Sequence, residues 1–171
     1  MNKCILTVVA AGLMLLAACS TKTNTEQELD TVCLSESTAD TLSVWPKGDP
    51  NDAYAQYFIG QSYLALLDST SGLCNVTFEP GCRNNWHIHH GATQMLICVS
   101  GRGWYQEWGK PAVELKPGVV IAVPEGVKHW HGAAADSWMQ HLTYHKDVQE
   151  GASNEWLEPV EDEHYQGLAE R

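Results

Sequence analysis

The sequence predicts an all-β protein, a small antiparallel barrel or jelly roll with a short helical segment at its C-terminal end. Ten short strand-like runs follow one another without a helix-length period, and turn residues such as Gly101, Gly109 and Pro117 separate them. Short runs at this spacing are typical of antiparallel barrels and sandwiches. The predicted strands are 54–60, 62–68, 73–79, 86–89, 94–100, 103–108, 111–115, 119–123, 128–131 and 138–145.

Two segments depart from the alternating pattern of a half-buried strand. The run 119–123 reads Val-Val-Ile-Ala-Val, and its lack of polar residues predicts a strand that is buried on both faces. Helical character is confined to the end of the chain. There, Ser153–Trp156 is followed by an acidic stretch that begins near Glu161, and a short terminal helix is expected.

The N-terminus has the features of an export signal that is cleaved before a lipid-modified cysteine. Lys3 precedes an apolar run, 5–18, that is too short for a comfortable bilayer span. Leu-Ala-Ala-Cys at 16–19 has the form of a lipobox, although an ordinary secretory signal with a chance cysteine is the alternative. We expect residues 1–18 to be removed and Cys19 to be lipidated, because Leu16 at minus three and Ala18 at minus one fit a lipobox. The several acyl chains of such a modification would anchor the protein firmly.

The remaining chain has room for one domain. Residues 19–45 are expected to form a flexible tether, since they begin with a Ser/Thr/Glu/Gln-rich stretch without a period. Residues 54–145 are expected to form the β domain, and residues 146–171 an acidic C-terminal extension. The predicted protein is therefore an exported lipoprotein on the periplasmic side of a bacterial membrane, either inner or outer.

The charge of the chain excludes one class of partner. The formal net charge is −11, and loss of the signal with Lys3 makes it −12. Such an acidic protein has no basic groove for nucleic acid. Much of the acid lies in the tail and is interpreted as a solvated face: Asp147, Glu150, Glu155, Glu158, Glu161, Asp162, Glu163 and Glu170.

Four cysteines remain once Cys4 is cleaved away and Cys19 is lipidated: Cys33, Cys74, Cys82 and Cys98. An exported protein permits disulfides, but the spacing alone does not establish a pair. Cys74 and Cys98 lie in apolar strand-like runs, where a small buried thiol is expected. Neither is a predicted metal ligand.

The histidines have the spacing of metal ligands on strands. His87 and His89 are two residues apart, so they share one face of a strand while His90 points to the other. His129 and His131 repeat this arrangement on a second segment. Same-face imidazoles from two strands suit Zn, Mn, Fe, Co or Ni. Three other histidines are interpreted as polar surface or satisfied core residues: His90, His145 and His164.

Two motifs around these histidines resemble the two motifs of the cupin family. The first, G-x5-H-x-H-x(3,4)-E-x6-G, has Gln94 in place of the usual Glu and is otherwise matched at Gly81, His87, His89 and Gly101. The second, G-x5-P-x-G-x2-H-x3-N, has Ala133 where Asn is common and is otherwise matched at Gly118, Pro124, Gly126 and His129. Sixteen residues, 102–117, separate the motifs.

The resemblance implies a single-domain cupin barrel that holds one divalent metal per subunit. The implied ligands are His87, His89, Gln94 and His129. Thr93 competes with Gln94 for the fourth position, because the motif allows either three or four residues after the second histidine. The resemblance also implies a homo-oligomer, either a dimer or a tetramer, that binds a small molecule.

A narrower resemblance lies in three short segments: Asn-Trp-His-x-His at 85–89, Gly-Trp-Tyr-Gln-Glu-Trp-Gly at 103–109 and Val-Lys-His-Trp-His-Gly at 127–132. They resemble small bacterial cupins related to manganese-dependent hydroxynitrile lyases, and cupin domains associated with carboxymuconolactone decarboxylase-like proteins. Members of this branch commonly use Gln as the fourth ligand. The implied metal is therefore Mn, with Fe, Zn or Ni as alternatives.

A neutral ligand set has a chemical consequence. Three imidazoles and an amide leave the charge of a divalent ion uncompensated, which strengthens its polarisation of a carbonyl or hydroxyl oxygen. This favours Lewis-acid and general-base chemistry, as in a lyase or isomerase. The predicted base is His141 or His131, and the resemblance favours His141 because a histidine in the corresponding strand lines the pocket. The alternatives are an iron-dependent dioxygenase-type cupin and a non-catalytic lipoprotein that binds a small molecule or metal.

Overall fold

The computed structural model describes residues 42–168, and antiparallel β-strands dominate this part of the chain. A 3-10 helix spans Asp52–Tyr57, and the helix α1 spans Asp162–Gln166. The strands are β1 (Asp49–Pro50), β2 (Phe58–Ile59), β3 (Ser62–Asp68), β4 (Leu73–Phe78), β5 (Arg83–Asn84), β6 (His87–His90), β7 (Thr93–Gly101), β8 (Gly103–Glu107), β9 (Val113–Leu115), β10 (Val120–Val123), β11 (His129–Ala133), β12 (Met139–Lys146) and β13 (Ser153–Trp156).

The strands form two antiparallel sheets. The first has the order β1-β3-β4-β12-β7-β10, and the second has the order β13-β6-β11-β5-β2, with β8 joined to both β11 and β9. Strand β12 lies in the middle of the first sheet, and β11 lies in the middle of the second. The fold is therefore a jelly-roll sandwich with a short C-terminal helix, as the sequence predicted.

The main hydrophobic core lies between the sheets and contains inward-facing residues from both of them. Leu96 and Cys98 of β7 and Met139 of β12 are almost fully buried, and Tyr105 of β8 meets them from the second sheet. The remaining buried members of this core are Val76, Phe78, Cys82, Leu115, Val123 and Ala133. This core supports the histidine-bearing strands from one side.

A second cluster covers the outer face of the second sheet. Trp86 and Trp130, which face away from the neighbouring histidines, pack there against Val160, Tyr165 and Leu168 of the C-terminal segment. The Tyr165 hydroxyl donates a hydrogen bond to the carbonyl oxygen of Ala133 over 2.7 Å. These contacts fix the last part of the described chain against β11.

Buried Arg83 provides a polar anchor for the same segment. Its Nη2 donates to the Val160 carbonyl oxygen over 3.1 Å and also pairs with the Asp162 carboxylate. The guanidinium carbon lies 4.2 Å from the centroid of the Tyr165 ring, within the range of a cation–π interaction. The C-terminal segment is thereby joined to the domain by polar as well as apolar contacts.

The glycines of the two motifs have a backbone role. All four have positive φ angles: Gly81, Gly101, Gly118 and Gly126. Gly101 illustrates the reason, because it ends β7 with a φ of +69°, and an added Cβ would lie 1.8 Å from the carbonyl oxygen of Trp138. Only glycine tolerates this conformation and this close approach.

Two strand predictions are wrong. The run 54–60 is mostly a 3-10 helix without a buried residue, and only Phe58–Ile59 is extended. Its Ala and Gln residues favour a helical turn after the turn-forming Pro50-Asn51-Asp52, which outweighs the strand preference of its tyrosines. The run 119–123 is not buried on both faces, because β10 lies at the edge of the sheet and pairs, within the described part of the chain, only with β7. Val120 remains 55% exposed.

A strand was missed in the C-terminal extension. Ser153–Trp156 forms β13 and pairs with β6, whereas only a helix was expected in that part of the chain. The expected helix is present slightly later, as α1. The acidic tail residues that fall within the described part of the chain are exposed, as predicted for a solvated face.

The N-terminal predictions fall outside the described part of the chain. They comprise the signal at 1–18, lipidation of Cys19, Cys33 and nearly all of the tether at 19–45. Between residues 42 and 168, no helix is long and apolar enough to cross a membrane. The cysteines of this part carry free thiols: Cys74, Cys82 and Cys98. Cys98 is buried as expected, while Cys74 is half-buried.

Candidate metal centre

Three histidines converge on the inner face of the second sheet. His87 and His129 are direct partners across strands β6 and β11, and His89 follows His87 on the same face. One ring nitrogen from each lies within 4.8 Å of the corresponding nitrogens of the other two. All three side chains are buried, so the cluster is protected from solvent. The spacing that indicated a shared face in the sequence is therefore realised in the fold.

The Nδ1 atom of each ring is held by an oxygen acceptor. In His87 and His129, Nδ1 lies 3.0 and 2.9 Å from the backbone carbonyl oxygen two residues earlier in the chain. In His89, Nδ1 lies 2.6 Å from Oδ1 of Asn154. A carbonyl oxygen can only accept, so the ring proton lies on Nδ1 and the Nε2 lone pair is left for a metal.

Gln94 supplies the oxygen that the motif predicts. It alternates with Leu96 and Cys98 on the buried face of β7, whereas Thr93 has the opposite parity. Its Oε1 lies 3.0 Å from Nε2 of His129. The lone pairs of Gln94 Oε1 and His129 Nε2 face each other, and Nε2 of His89 is buried without a hydrogen-bond partner among the described residues. Together these atoms form a set of metal-binding groups that fits a divalent cation.

The electrostatics of the cluster keep its histidines neutral. Burial lowers the pKa of His129 to about 4. Burial, together with the neighbouring His129 and His89, holds the pKa of His87 well below its usual range. Burial also lowers the pKa of His89. Neutral imidazole is the form that binds a metal, so at neutral pH the folded protein holds these three histidines in the protonation state that a metal site requires.

The stability of the metal-free protein is expected to fall when the pH drops from 6.5 towards 4. The pKa values of His129 and His141 are lowered from 6.5 to about 4, so in this window the unfolded chain binds more protons than the folded one. Each such histidine contributes on the order of 1 kcal/mol per pH unit. Thermal unfolding between pH 7.5 and 5 measures the effect, and His141→Gln should reduce the slope. An unfolding temperature that does not change with pH would contradict it.

Of the two predicted catalytic histidines, His131 lies beside the cluster and His141 packs against His131. The His131 ring centroid is 5.6 Å from that of His87, and the His141 ring centroid is 4.9 Å from that of His131. Burial lowers the pKa of His141 to about 4. Burial and the neighbouring His141 together hold the pKa of His131 well below its usual range. Phe78 packs against both rings. The two imidazoles are therefore neutral and sit in a largely apolar wall.

The two rings differ in what their nitrogens contact. Nε2 of His131 lies 3.0 Å from the side-chain Nδ2 of Asn84, which donates to it. The Asn84 Oδ1 accepts from the backbone N–H of His131, so this ring is clamped. Nδ1 of His141 lies 3.3 Å from the Leu142 carbonyl oxygen, while its Nε2 is buried and has no hydrogen-bond partner among residues 42–168. Of these two histidines, His141 therefore has the free ring nitrogen.

Several neighbours of the centre were not found from the sequence. His145, interpreted as a surface or core residue, lies with its Nε2 3.2 Å from Nδ1 of His89. Trp156 packs on His87 with ring centroids 4.8 Å apart. The sequence signal that could have found them is spacing by an even number of residues, which places side chains on the same face of a strand. His145 is four residues after His141, and Trp156 is two residues after Asn154. The predictions for His90 and His164 hold, since they contact Glu155 and Gln106, away from the cluster.

Comparisons with known proteins identify the family of this chain. The cupin domain family matches residues 74–143. The (R)-mandelonitrile lyase of Granulicella tundricola is 44% identical over 91 residues, which make up 53% of this chain and 68% of the lyase. The crystal structure of a cupin-like protein from Thermotoga maritima is 36% identical, with 73% of this chain and 96% of that chain covered and a TM-score of 0.66. The chain belongs to the cupin superfamily.

Proposed function

We propose that this protein is a divalent-metal-dependent enzyme with lyase- or isomerase-like activity on a small organic molecule that carries a hydroxyl or carbonyl group. The observation that carries the proposal is the buried Nε2 of His141, which has no hydrogen-bond partner among the described residues. The His141 ring packs 4.9 Å from that of His131, which itself neighbours the three-histidine cluster. A metal site alone would serve a binding protein equally well. A free basic nitrogen nearby adds the second component of Lewis-acid and general-base catalysis.

The metal would be held by His87, His89, His129 and Gln94. When bound, a divalent cation supplies Lewis acidity that polarises a hydroxyl or carbonyl oxygen of the substrate. The four side chains carry no charge, so they leave the full charge of the cation available for this purpose. We infer manganese as the metal, on the basis of the sequence resemblance to small manganese-dependent cupins.

His141 would move the proton. Its Nε2 accepts the proton of a substrate hydroxyl, which allows an adjacent carbon–carbon bond to break as the carbonyl forms. The same imidazolium then returns the proton to the carbanion that leaves. Asn84 keeps His131 in one orientation beside this group, where it shapes the wall of the site. The apolar face of Phe78 limits water near both rings.

Metal analysis and a substrate panel test the proposal together. The protein is purified without chelator, its metal content is measured, and turnover of cyanohydrins and related hydroxy and carbonyl compounds is assayed. Manganese with turnover supports the proposal. Iron with oxygen uptake would replace it with a dioxygenase function, and metal binding without turnover of any compound would replace it with a binding function.

We further propose that the protein is exported and anchored through a lipid on Cys19. The support is the lipobox at 16–19 after a short apolar run. In cells, Cys19→Ser is expected to block lipoprotein processing and to release the protein from the membrane fraction. Membrane fractionation and mass spectrometry of the mature N-terminus measure both effects. A mature N-terminus at any residue other than 19 would contradict the proposal.

We also infer a homo-oligomer, a dimer or tetramer, because cupin relatives are often oligomeric. Sedimentation of the protein without its signal segment measures the assembly state directly. A monomer at micromolar concentration would contradict this inference without affecting the proposed metal chemistry.

A further inference from the structure

Strand β13 lies directly beside the ligand-bearing strand β6. The pairing is antiparallel, and it places Asn154 opposite His89 and Trp156 opposite His87. Directly opposed residues of an antiparallel pair point to the same face of the sheet. Two side chains of β13 therefore stand next to two of the three clustered histidines, although β13 lies outside both cupin motifs and outside the matched residues 74–143.

Each of these side chains contacts the histidine that it opposes. Oδ1 of Asn154 lies 2.6 Å from Nδ1 of His89. The Trp156 ring lies over the His87 ring with centroids 4.8 Å apart and planes inclined by 32°. Tyr57 stacks on the Trp156 ring, with ring centroids 4.6 Å apart and planes inclined by only 6°. This stacking holds the Trp156 ring in the orientation in which it contacts His87.

A second acceptor competes for the same proton of His89. Nε2 of His145 lies 3.2 Å from Nδ1 of His89, farther than the Asn154 oxygen at 2.6 Å. Asn154 and His145 both line a surface pocket of about 330 Å³, which water can enter. Loss of the asparagine oxygen alone therefore leaves two substitutes, a water molecule and His145. A variant that tests the role of Asn154 must therefore also exclude the water molecule and His145.

We propose that β13 forms the second layer of the metal centre. Asn154 is a positioning residue that keeps the proton on Nδ1 of His89, so that Nε2 is always the atom presented to the metal. Trp156 is a positioning residue that holds the plane of the His87 ring. The inference rests on the proposed ligand set His87, His89, Gln94 and His129. It assigns to the C-terminal extension a role in metal affinity.

Three substitutions of Asn154 separate the hydrogen bond from its substitutes. Asn154→Asp keeps an oxygen acceptor and should bind Mn²⁺ as tightly as the original chain or more tightly. Asn154→Ala admits water and should weaken binding slightly. Asn154→Leu fills the space and excludes water but leaves His145 as an acceptor, so it should weaken Mn²⁺ binding more than Asn154→Ala does. Competition with a chelator measures the dissociation constant.

Two further measurements distinguish positioning from general stability. Ser153→Ala and Glu155→Gln, on the other face of the same strand, are matched controls that should leave Mn²⁺ affinity unchanged. The electron paramagnetic resonance spectrum of bound Mn²⁺ should change in Asn154→Leu and return to the original form in Asn154→Asp. Thermal unfolding of each metal-free variant shows whether the fold is retained, and Asn154→Ala keeps the test available if Asn154→Leu does not fold.

The double variant Asn154→Leu/His145→Phe removes both side-chain acceptors. It should bind Mn²⁺ roughly 10- to 100-fold more weakly than the original chain, the usual effect of losing such a contact, and more weakly than Asn154→Leu. His145→Phe alone should have little effect. Equal affinity of the original chain, Asn154→Leu and the double variant would overturn the inference while leaving the proposed metal site intact. Absence of Mn²⁺ binding in the original chain would overturn the proposed function and this inference together.

Discussion

Replacing any one of His87, His89 and His129 with alanine is expected to reduce metal affinity by more than about 100-fold, beyond the usual effect of a second-layer change. Each ring contributes an Nε2 whose orientation is fixed through Nδ1, and no other described histidine has a nitrogen within this cluster of three. Metal content after purification and Mn²⁺ titration of the chelated protein measure the loss. Circular dichroism of each variant shows that the fold is retained.

Gln94→Ala is expected to reduce metal affinity less, by about 10-fold, because a neutral amide oxygen is the weakest of the four metal-binding groups. His90→Ala is the matched control, since His90 lies on the same strand as His87 and His89 but contacts Glu155 on the opposite face. Metal loss in His90→Ala together with retention in His89→Ala would contradict the strand register on which the site depends.

Removal of His141 is expected to abolish most turnover and to leave the metal in place. Once an active substrate has been identified, His141→Ala should lower kcat by roughly 10² or more, the usual scale for a lost general base. The reason is that His141 alone of the two neighbouring histidines has an unpartnered Nε2, while Nε2 of His131 accepts from Asn84. Steady-state kinetics and metal analysis on the same preparation measure both quantities.

His131→Ala and His164→Ala complete this comparison. His164 is a histidine on the outer side of the second sheet that contacts Gln106, so its replacement should not change turnover. His131→Ala should lower kcat less than His141→Ala does. Full activity in His141→Ala with loss of activity in His131→Ala would transfer the role of base to His131. Full activity in both variants would contradict general-base catalysis by either histidine.

Most of the jelly roll could be predicted because its strands are short, alternating and separated by glycine and proline. The predicted boundaries 62–68 and the observed strand Ser62–Asp68 coincide. The errors lie where alternation was weak or where the neighbouring strand mattered. The exposure of Val120 arises because, among residues 42–168, no strand pairs with the outer edge of β10 in the first sheet. A sequence pattern does not indicate which strand lies at an edge.

The sequence by itself determined the cluster of three histidines and the glycine turns around them, because two-residue spacing sets the face of a strand and positive φ favours glycine. Only the tertiary structure decided which other side chains reach them. Asn154 meets His89 across 65 residues of chain, and Asn84 meets His131 across 47. Such contacts arise because strands that are distant in sequence pair with each other. The local periodicity of one strand does not indicate which other strand will lie beside it.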